Sequence, residues 1–536
     1  MSGRRDTSER GAAGLGLPAG AEEAAARIDE RALRDVVAEL ESDRYEGRGP
    51  GTPGDAAARS YLARALAARG FLPAGEVGYE QPFSIVGVRA SPPPSWTFRA
   101  PGGEERRLRH WDEFIAASGV QAPRAIVEDA ELVFVGYGIR APEERWNDFE
   151  GVDVRGKVLV MLNGDPEWDP LRFGGKARQF YGRWTYKFES AAREGAAGAI
   201  LIHTTESAGY PWQVVQRSWS GPRFELPAGD EPRAELRSWV TEDAARALCR
   251  LAGRDLDELI AAARSDAFRP VPLGIKTSIA LENELSRAET ANVIGRLPGR
   301  EPALGAEAVV LSAHHDHLGR GRGGEIYAGA RDNGAGVSQA LAVADAIAAL
   351  PERPRRSVVV AMVGAEEQGL LGSAHFARHP TVPRDRLVAN VNFEMGNIWG
   401  PTRDVVIRGE GKTTIEELVA AAARRQGREV LPDPEPETGW YYRSDQWSFA
   451  RAEIPAIWFE SGTDFIGRPA GWGQHTVSSW IRDHYHRPSD RLTGEWDFRG
   501  MVLDATLAFF VTAALASSDD RPRFLPGAAI PPPARL

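Results

Sequence analysis

The hydrophobic positions settle into a regular rhythm over the second half of the chain. From about residue 305 onward, short β-branched runs alternate with stretches whose apolar residues recur every three or four positions. AVVLSA leads into GAGVSQALAVADAIAAL, where Val337, Leu341, Ala344 and Ala348 repeat at helical spacing, and SVVVAMV (Ser357–Val363) precedes the helical LLGSAHFARH. LVANVNFE (Leu387–Glu394), DVVIRG and IPAIWFE (Ile454–Glu460) continue the strands, and MVLDATLAFFVTAALA forms a closing helix. Unbroken apolar runs of this length suit strands buried on both faces, and their alternation with helices predicts an α/β fold with a doubly wound, mostly parallel sheet. TTIEELVAAAARRQG adds a helix with a Thr413-x-x-Glu416 capping box and Gly427 as its stop.

Upstream the pattern differs. Residues 28–72 read as helix, loop, helix around YEGRGPGTPGD, a fixed turn that suits either a plain connector or the rim of a site. Residues 77–115 look like short strands and turns. After about residue 117 the strands ELVFVGYGI (Glu131–Ile139), GKVLVML (Gly156–Leu162) and GAAGAILIH (Gly195–His203) are separated by Gly-, Pro- and Trp-bearing loops. A helix within Tyr181–Gly198 places Phe188, Ala191 and Ala192 on one face. The expected organisation is a discontinuous main domain of residues 27–116 and 271–518 around a β-rich insert of residues 117–270. A disordered segment (1–26) and a tail (519–536) flank it.

Composition narrows the chemistry. At 536 residues the chain exceeds one ordinary hydrophobic core. A net charge of −10 and a pI near 5.7 argue against a nucleic-acid partner. Residues 1–26 contain no continuous apolar segment of the kind a signal peptide needs, and no stretch approaches the ~18 apolar residues of a membrane span. The expected location is therefore cytoplasmic, with no membrane partner. The lone Cys249 rules out a thiolate cluster, so any metal needs His and carboxylate ligands.

Such ligands occur where the strands end. VVLSAHHDHLG stops in His314, Asp316 and His317; VVVAMVGA runs into Glu366 and Glu367; and LVANVNF ends at Glu394. Open α/β sheets bind ligands at the carboxyl ends of their strands, and acidic groups beside apolar runs are costly to bury unless paired or coordinating a cation. Asp332 in the Gly-rich AGARDNGAG and His486 in DHYHRPSD complete a set suited to a pair of divalent ions such as Zn²⁺.

The motifs SAHHDHLG, GARDNGAG, AEEQGLLGS, NFEMG, YRSDQWSF and YHRPSD, in this order, resemble the co-catalytic dizinc aminopeptidases, whose relatives include glutamate carboxypeptidases, the transferrin receptor and glutaminyl cyclases. The insert, with VFVGYGI, GKVLVML and GRWTYK, resembles a protease-associated domain. The resemblance implies two Zn²⁺ ions bridged by Asp332, with His314 and Glu394 on one and Glu367 and His486 on the other. It further implies a cis Asp332–Asn333 peptide, Asp316 orienting the His314 imidazole, Glu366 as general base, and Tyr485 as the phenol that stabilises the tetrahedral oxygen. Glu394 stands where the family usually has Asp. Gln446 follows Ser444 and Asp445 where His is common, and Arg331 replaces a frequent acidic residue.

Family relatives build a specificity pocket from the segment that here holds Trp440, Tyr441, Tyr442, Arg443, Trp447, Trp458 and Trp472, which implies a preference for large hydrophobic N-terminal residues. The resemblance leaves carboxypeptidase or dipeptidase activity open, and more remotely a glutaminyl cyclase or a non-catalytic receptor-like protein. It also leaves open export from the cell, since many relatives are secreted. Oligomeric state is not legible.

Overall fold

The computed structural model describes residues 14–219, 221–528 and 530, and the chain divides into two units. The first holds the described residues through Phe83 with Thr290–Asp433 and Ser444–Ala528; the second holds Ser84–Glu289 with Pro434–Arg443.

In the first unit the strand Ala308–His314 lies between Ser357–Val363 and Leu387–Asn392, parallel to both, and Ala456–Ser461 extends the parallel set beyond Leu387–Asn392. Val293–Leu297 joins antiparallel at one side and Asp404–Ile407 antiparallel at the other, as the expected mostly parallel α/β sheet requires. The first three strands are buried along their whole length, which is why their sequences show no alternation. The helices Glu30–Leu40, Gly336–Ala348 and Arg499–Ser517 cover this sheet, sharing one core with Leu311, Val358 and Val391. Because these strands run the same way, His314, the Gly364–Glu367 turn and Glu394 emerge at one edge.

Two expectations need correction. Residues 14–26 are not disordered: the helix Ala21–Ala25 buries Ala21, Ala24 and Ala25, and Glu22 pairs with Arg425. Residues 1–13 lie outside the described residues. Residues 523–525 of the tail are bonded to the first unit: Leu525 N donates to Lys412 O at 2.8 Å and Arg523 N to Thr414 Oγ1 at 3.1 Å. Finally, the helix Arg499–Ser517 is long and apolar enough to cross a membrane (19 residues, mean hydropathy 1.7), although 78% of that window is buried inside the unit. It escapes notice in the sequence because the apolar text alone is shorter than the helix that contains it. The capping box is half formed: Glu416 accepts from Thr413 N at 3.0 Å, while Thr413 Oγ1 makes no hydrogen bond.

In the second unit the strands Arg124–Phe134, Val158–Leu162, Gly198–His203 and Leu236–Thr241 run parallel in that order, with Phe114–Ser118 antiparallel at the edge. Phe188, Ala191, Trp219 and Trp239 fill its core. Its limits lie at Ser84 and Glu289 rather than at 117 and 270. Ser95–Arg99 pairs with Glu105–Arg109 and with Lys276 and Thr277, which draws the short early strands into this unit. The second boundary falls inside the strand Val271–Leu297, so no loop marks it.

Candidate metal centre

His314 is the last residue of its strand, fully buried, and its Nε2 lies 3.1 Å from Glu394 Oε1 and 3.3 Å from Asp332 Oδ1. The other oxygen of Asp332, Oδ2, lies 3.2 Å from His486 Nε2, which is in turn 3.0 Å from Glu367 Oε2. The Asp332 carboxylate thus stands between two sets, His314 with Glu394 and His486 with Glu367. All five side chains singled out as ligands converge. The Asp332–Asn333 peptide is cis.

Two further observations test whether these residues fit a pair of cations. Two ligands on one tetrahedral Zn²⁺, each bonded at about 2.0–2.1 Å, stand roughly 3.3 Å apart, and the four separations above lie at or just under that value. In addition, Asp332 Oδ2 and His486 Nε2 are buried and make no hydrogen bond with any group, although they face each other. Nitrogen and oxygen donors without sulfur suit a borderline to hard ion. Three overlapping groups have donor atoms close enough to hold an ion: His314 with Asp332 and Glu394, His317 with Asp332 and Glu367, and His314 with Glu366 and Glu367.

The electrostatics separate the carboxylates. Burial works to raise Asp332, Glu366 and Glu367, but the adjacent His314 and His486 imidazoles hold Asp332 well below the usual range, and His486 holds Glu367 at about 2. Glu366 goes the other way: burial, reinforced by Glu394, Glu367 and Asp445, raises it well above an ordinary glutamate despite His314 nearby. Its Oε2 lies 3.9 Å from His314 Nε2, outside the spacing of the five.

Supporting contacts differ in places from the expectation. His314 Nδ1 is nearest the backbone oxygen of Asp316, at 3.2 Å, and 3.8 Å from its carboxylate. That carboxylate instead accepts from the backbone N–H groups of Glu366 (3.0 Å) and Glu367 (3.3 Å) and so holds the following turn. Ser444 Oγ donates to Glu394 Oε2 at 2.5 Å, and Gln446 accepts from Asn392, so the departure at 446 is absorbed by a local bond. Arg331 is buried between Trp399 and Trp480, its guanidinium 4.7 and 4.4 Å from the ring centres. Tyr485 stacks on His486 with ring centres 3.8 Å apart.

The aromatic residues expected to wall one pocket are divided between the two units. Trp458 is 1% exposed and Trp447 4%, both inside the first unit, whereas Trp440, Tyr441 and Arg443 belong to the second, with Arg443 over the Trp440 ring. Trp472 lines a separate cavity of about 810 Å³ with Trp399, Trp480 and Trp496.

Sequence reasoning passed over two residues. Arg48, within the Gly-rich turn, is fully buried and donates to the carbonyls of His315, Leu40, Ala328 and Gly329, so that turn is part of the site's support. Asp490 accepts from the backbone N–H of both Arg331 (2.9 Å) and Asp332 (3.0 Å). Its place four residues after His486 in YHRPSD was the available signal.

A doubly wound sheet whose strand ends gather two histidines and three carboxylates in two sets defines an α/β protein of the zinc-exopeptidase fold class. Residues 292–509 match the family described as peptidase family M28. Among curated relatives, aminopeptidase NAALADL1 of Mus musculus is 26% identical over 338 residues, covering 54% of this chain and 41% of the relative. Leupeptin-inactivating enzyme 1 of Streptomyces exfoliatus is 29% identical over 212 residues, covering 39% and 44%. The chain therefore spans less than half the length of either. The solved aminopeptidase from Aneurinibacillus sp. strain AM-1 shares the fold, at 18% identity and a TM-score of 0.50, covering 94% of this chain and 97% of that one.

Proposed function

We propose that this protein is a dizinc aminopeptidase that removes N-terminal residues from peptides. The observation that carries the reading is the Asp332 carboxylate, with one oxygen facing the His314 and Glu394 set and the other facing the His486 and Glu367 set. A zinc pair held there would supply Lewis acidity and bring a water toward deprotonation near neutral pH. Glu366, with its raised proton affinity, takes the proton of the attacking water on its carboxylate and returns it to the leaving amine nitrogen. Asp316 keeps Glu366 in place through the backbone, and Ser444 fixes the outer oxygen of Glu394. Tyr485, stacked on His486, is the phenol assigned to the tetrahedral oxygen.

Members named aminopeptidase among the relatives support the amino-directed reading, and the second unit is proposed to be a protease-associated module. Elemental analysis tests the metal count, with two zinc ions per chain expected. Leu-, Glu- and Arg-anilides, each free and N-blocked, test direction and preference. Free Leu-anilide should be cleaved fastest; turnover of blocked substrates at the free-amine rate, or no hydrolysis with two ions bound, would overturn the assignment.

A further inference from the structure

We propose that His317 is a positioning residue for Glu367, donating from Nδ1 to Oε1 so that Oε2 is the oxygen offered to a cation; the proposal rests on the dizinc reading above. His317 is the third histidine of HHDH. It lies 2.7 Å through Nδ1 from Glu367 Oε1, while Glu367 Oε2 faces His486 at 3.0 Å. The first separation is too short for two atoms bound to one tetrahedral ion, which would stand about 3.3 Å apart, and is the length of a charge-assisted hydrogen bond. The two oxygens of this carboxylate are therefore divided between a bond that orients it and a face left for a ligand.

The imidazole is itself fixed. It is fully buried, its backbone N–H donates to Arg48 O at 3.3 Å, and its ring lies against Gly329, where a Cβ would come within 2.5 Å of Cγ. Gly329 has φ +59°, so both its conformation and this close approach require glycine. The His486 ring meets the His317 ring at 73° with centres 5.7 Å apart. Since the Glu367 N–H is already bound to Asp316, removing the Nδ1 donor leaves the carboxylate tethered at its backbone but free to turn at its tip.

The test is zinc titration of the metal-free full chain, in chelator-buffered solution, for wild type, His317→Phe and His317→Asn, with the melting temperature of each metal-free form. His317→Phe should weaken one ion by about 10- to 100-fold, as loss of a group supporting a ligand does, and leave the other near its wild-type affinity. His317→Asn, which keeps an N–H donor near the Nδ1 position, should recover most of the loss. Wild-type affinity for both ions in His317→Phe, or no recovery in His317→Asn, would overturn the proposal. If His317→Phe does not fold, ¹⁵N NMR of the zinc-loaded wild type decides. His317 must keep its Nδ1 proton and carry no metal on either nitrogen, and a His317–zinc bond would make it a ligand instead. Wild type that binds no zinc pair would count against the dizinc reading, a different outcome from two ions bound equally well without His317.

Discussion

Replacing Arg48 by methionine should cost the first unit about 3–5 kcal/mol, the range for stripping one partner from a buried charged network. The guanidinium donates through Nε to His315 O at 2.7 Å, through Nη1 to Leu40 O and Ala328 O at 2.6 Å each, and through Nη2 to Gly329 O at 2.9 Å. A hydrogen bond from a charged donor contributes roughly 1.5–3 kcal/mol, so four such bonds alone would exceed the quoted range. Part of that is returned because the variant no longer buries a cation, whose desolvation costs several kcal/mol. Asp316, Asp490, Asp332 and Glu367 surround the charge and limit that return. The left-handed backbone at residue 48 (φ 52°) is equally unfavourable for Arg and Met and drops out of the difference. Against a total of ~5–15 kcal/mol the loss is large. It is read as a lower urea midpoint for hydrogen exchange in the Ala308–His314 strand, with unchanged m-value. Arg48→Lys keeps the charge but cannot span four carbonyls, and should lose less than Arg48→Met. A loss below about 1 kcal/mol in Arg48→Met would refute the view that these carbonyls depend on the guanidinium.

Three other outcomes are expected. Glu366→Gln should retain its metal while kcat falls by at least the ~10²–10⁴ typical of a lost general base; elemental analysis beside steady-state kinetics checks it, and near-normal turnover removes the role. Asp332→Ala should lose both ions in the same elemental analysis, and a fully loaded variant contradicts bridging. His375 stacks on Phe83 with ring centres 5.0 Å apart, and burial, with help from His379 and Arg378, lowers its pKa to about 4. The folded form thus resists a proton that the unfolded chain takes up near 6.5. The stabilisation is complete above about pH 6.5 and lost as pH falls toward 4. His375→Phe should flatten that part of the stability–pH curve, and an unchanged slope assigns it elsewhere.

The strands and the candidate ligands His314, Glu367 and Glu394 were legible because each signal is local, whereas Asp332 and His486 were placed with them by the motifs of the family resemblance. A β-branched run that stops in His or Glu shows both the burial of the strand and the polarity of its end, and the parallel order of the sheet brings those ends together. What escaped depends on separations along the chain that no periodicity encodes. Arg48 reaches Gly329 across 281 positions, and His317 reaches Glu367 across 50. Asp316 was legible as a carboxylate near His314, but its use on the backbone of Glu366 and Glu367 follows from how the next strand turns. Trp458 and Trp447 read as pocket walls because tryptophan suits an apolar pocket and a core equally well. Both are buried in the first unit. The unit boundary at Glu289 was invisible because one strand runs through it.

The centre is assembled against local preference, and this links it to stability. Ala365 before Glu366, Met395 after Glu394 and His486 itself all have left-handed backbones, with φ of 57°, 53° and 56°. At ~1–2 kcal/mol for each such residue, the three together cost about 3–6 kcal/mol, and the mutual repulsion that helps to raise Glu366 adds to it. An ion present at a thousand times its Kd returns roughly 4.1 kcal/mol to the folded state, so one or two bound ions are of the size needed to offset the strain. On the dizinc reading, the residues that aim these carboxylates at common points would make the metal-free fold weakest at this sheet edge. Local opening on metal removal should begin at the Ala365–Glu367 turn and the His486 loop, while the buried strands behind them stay closed.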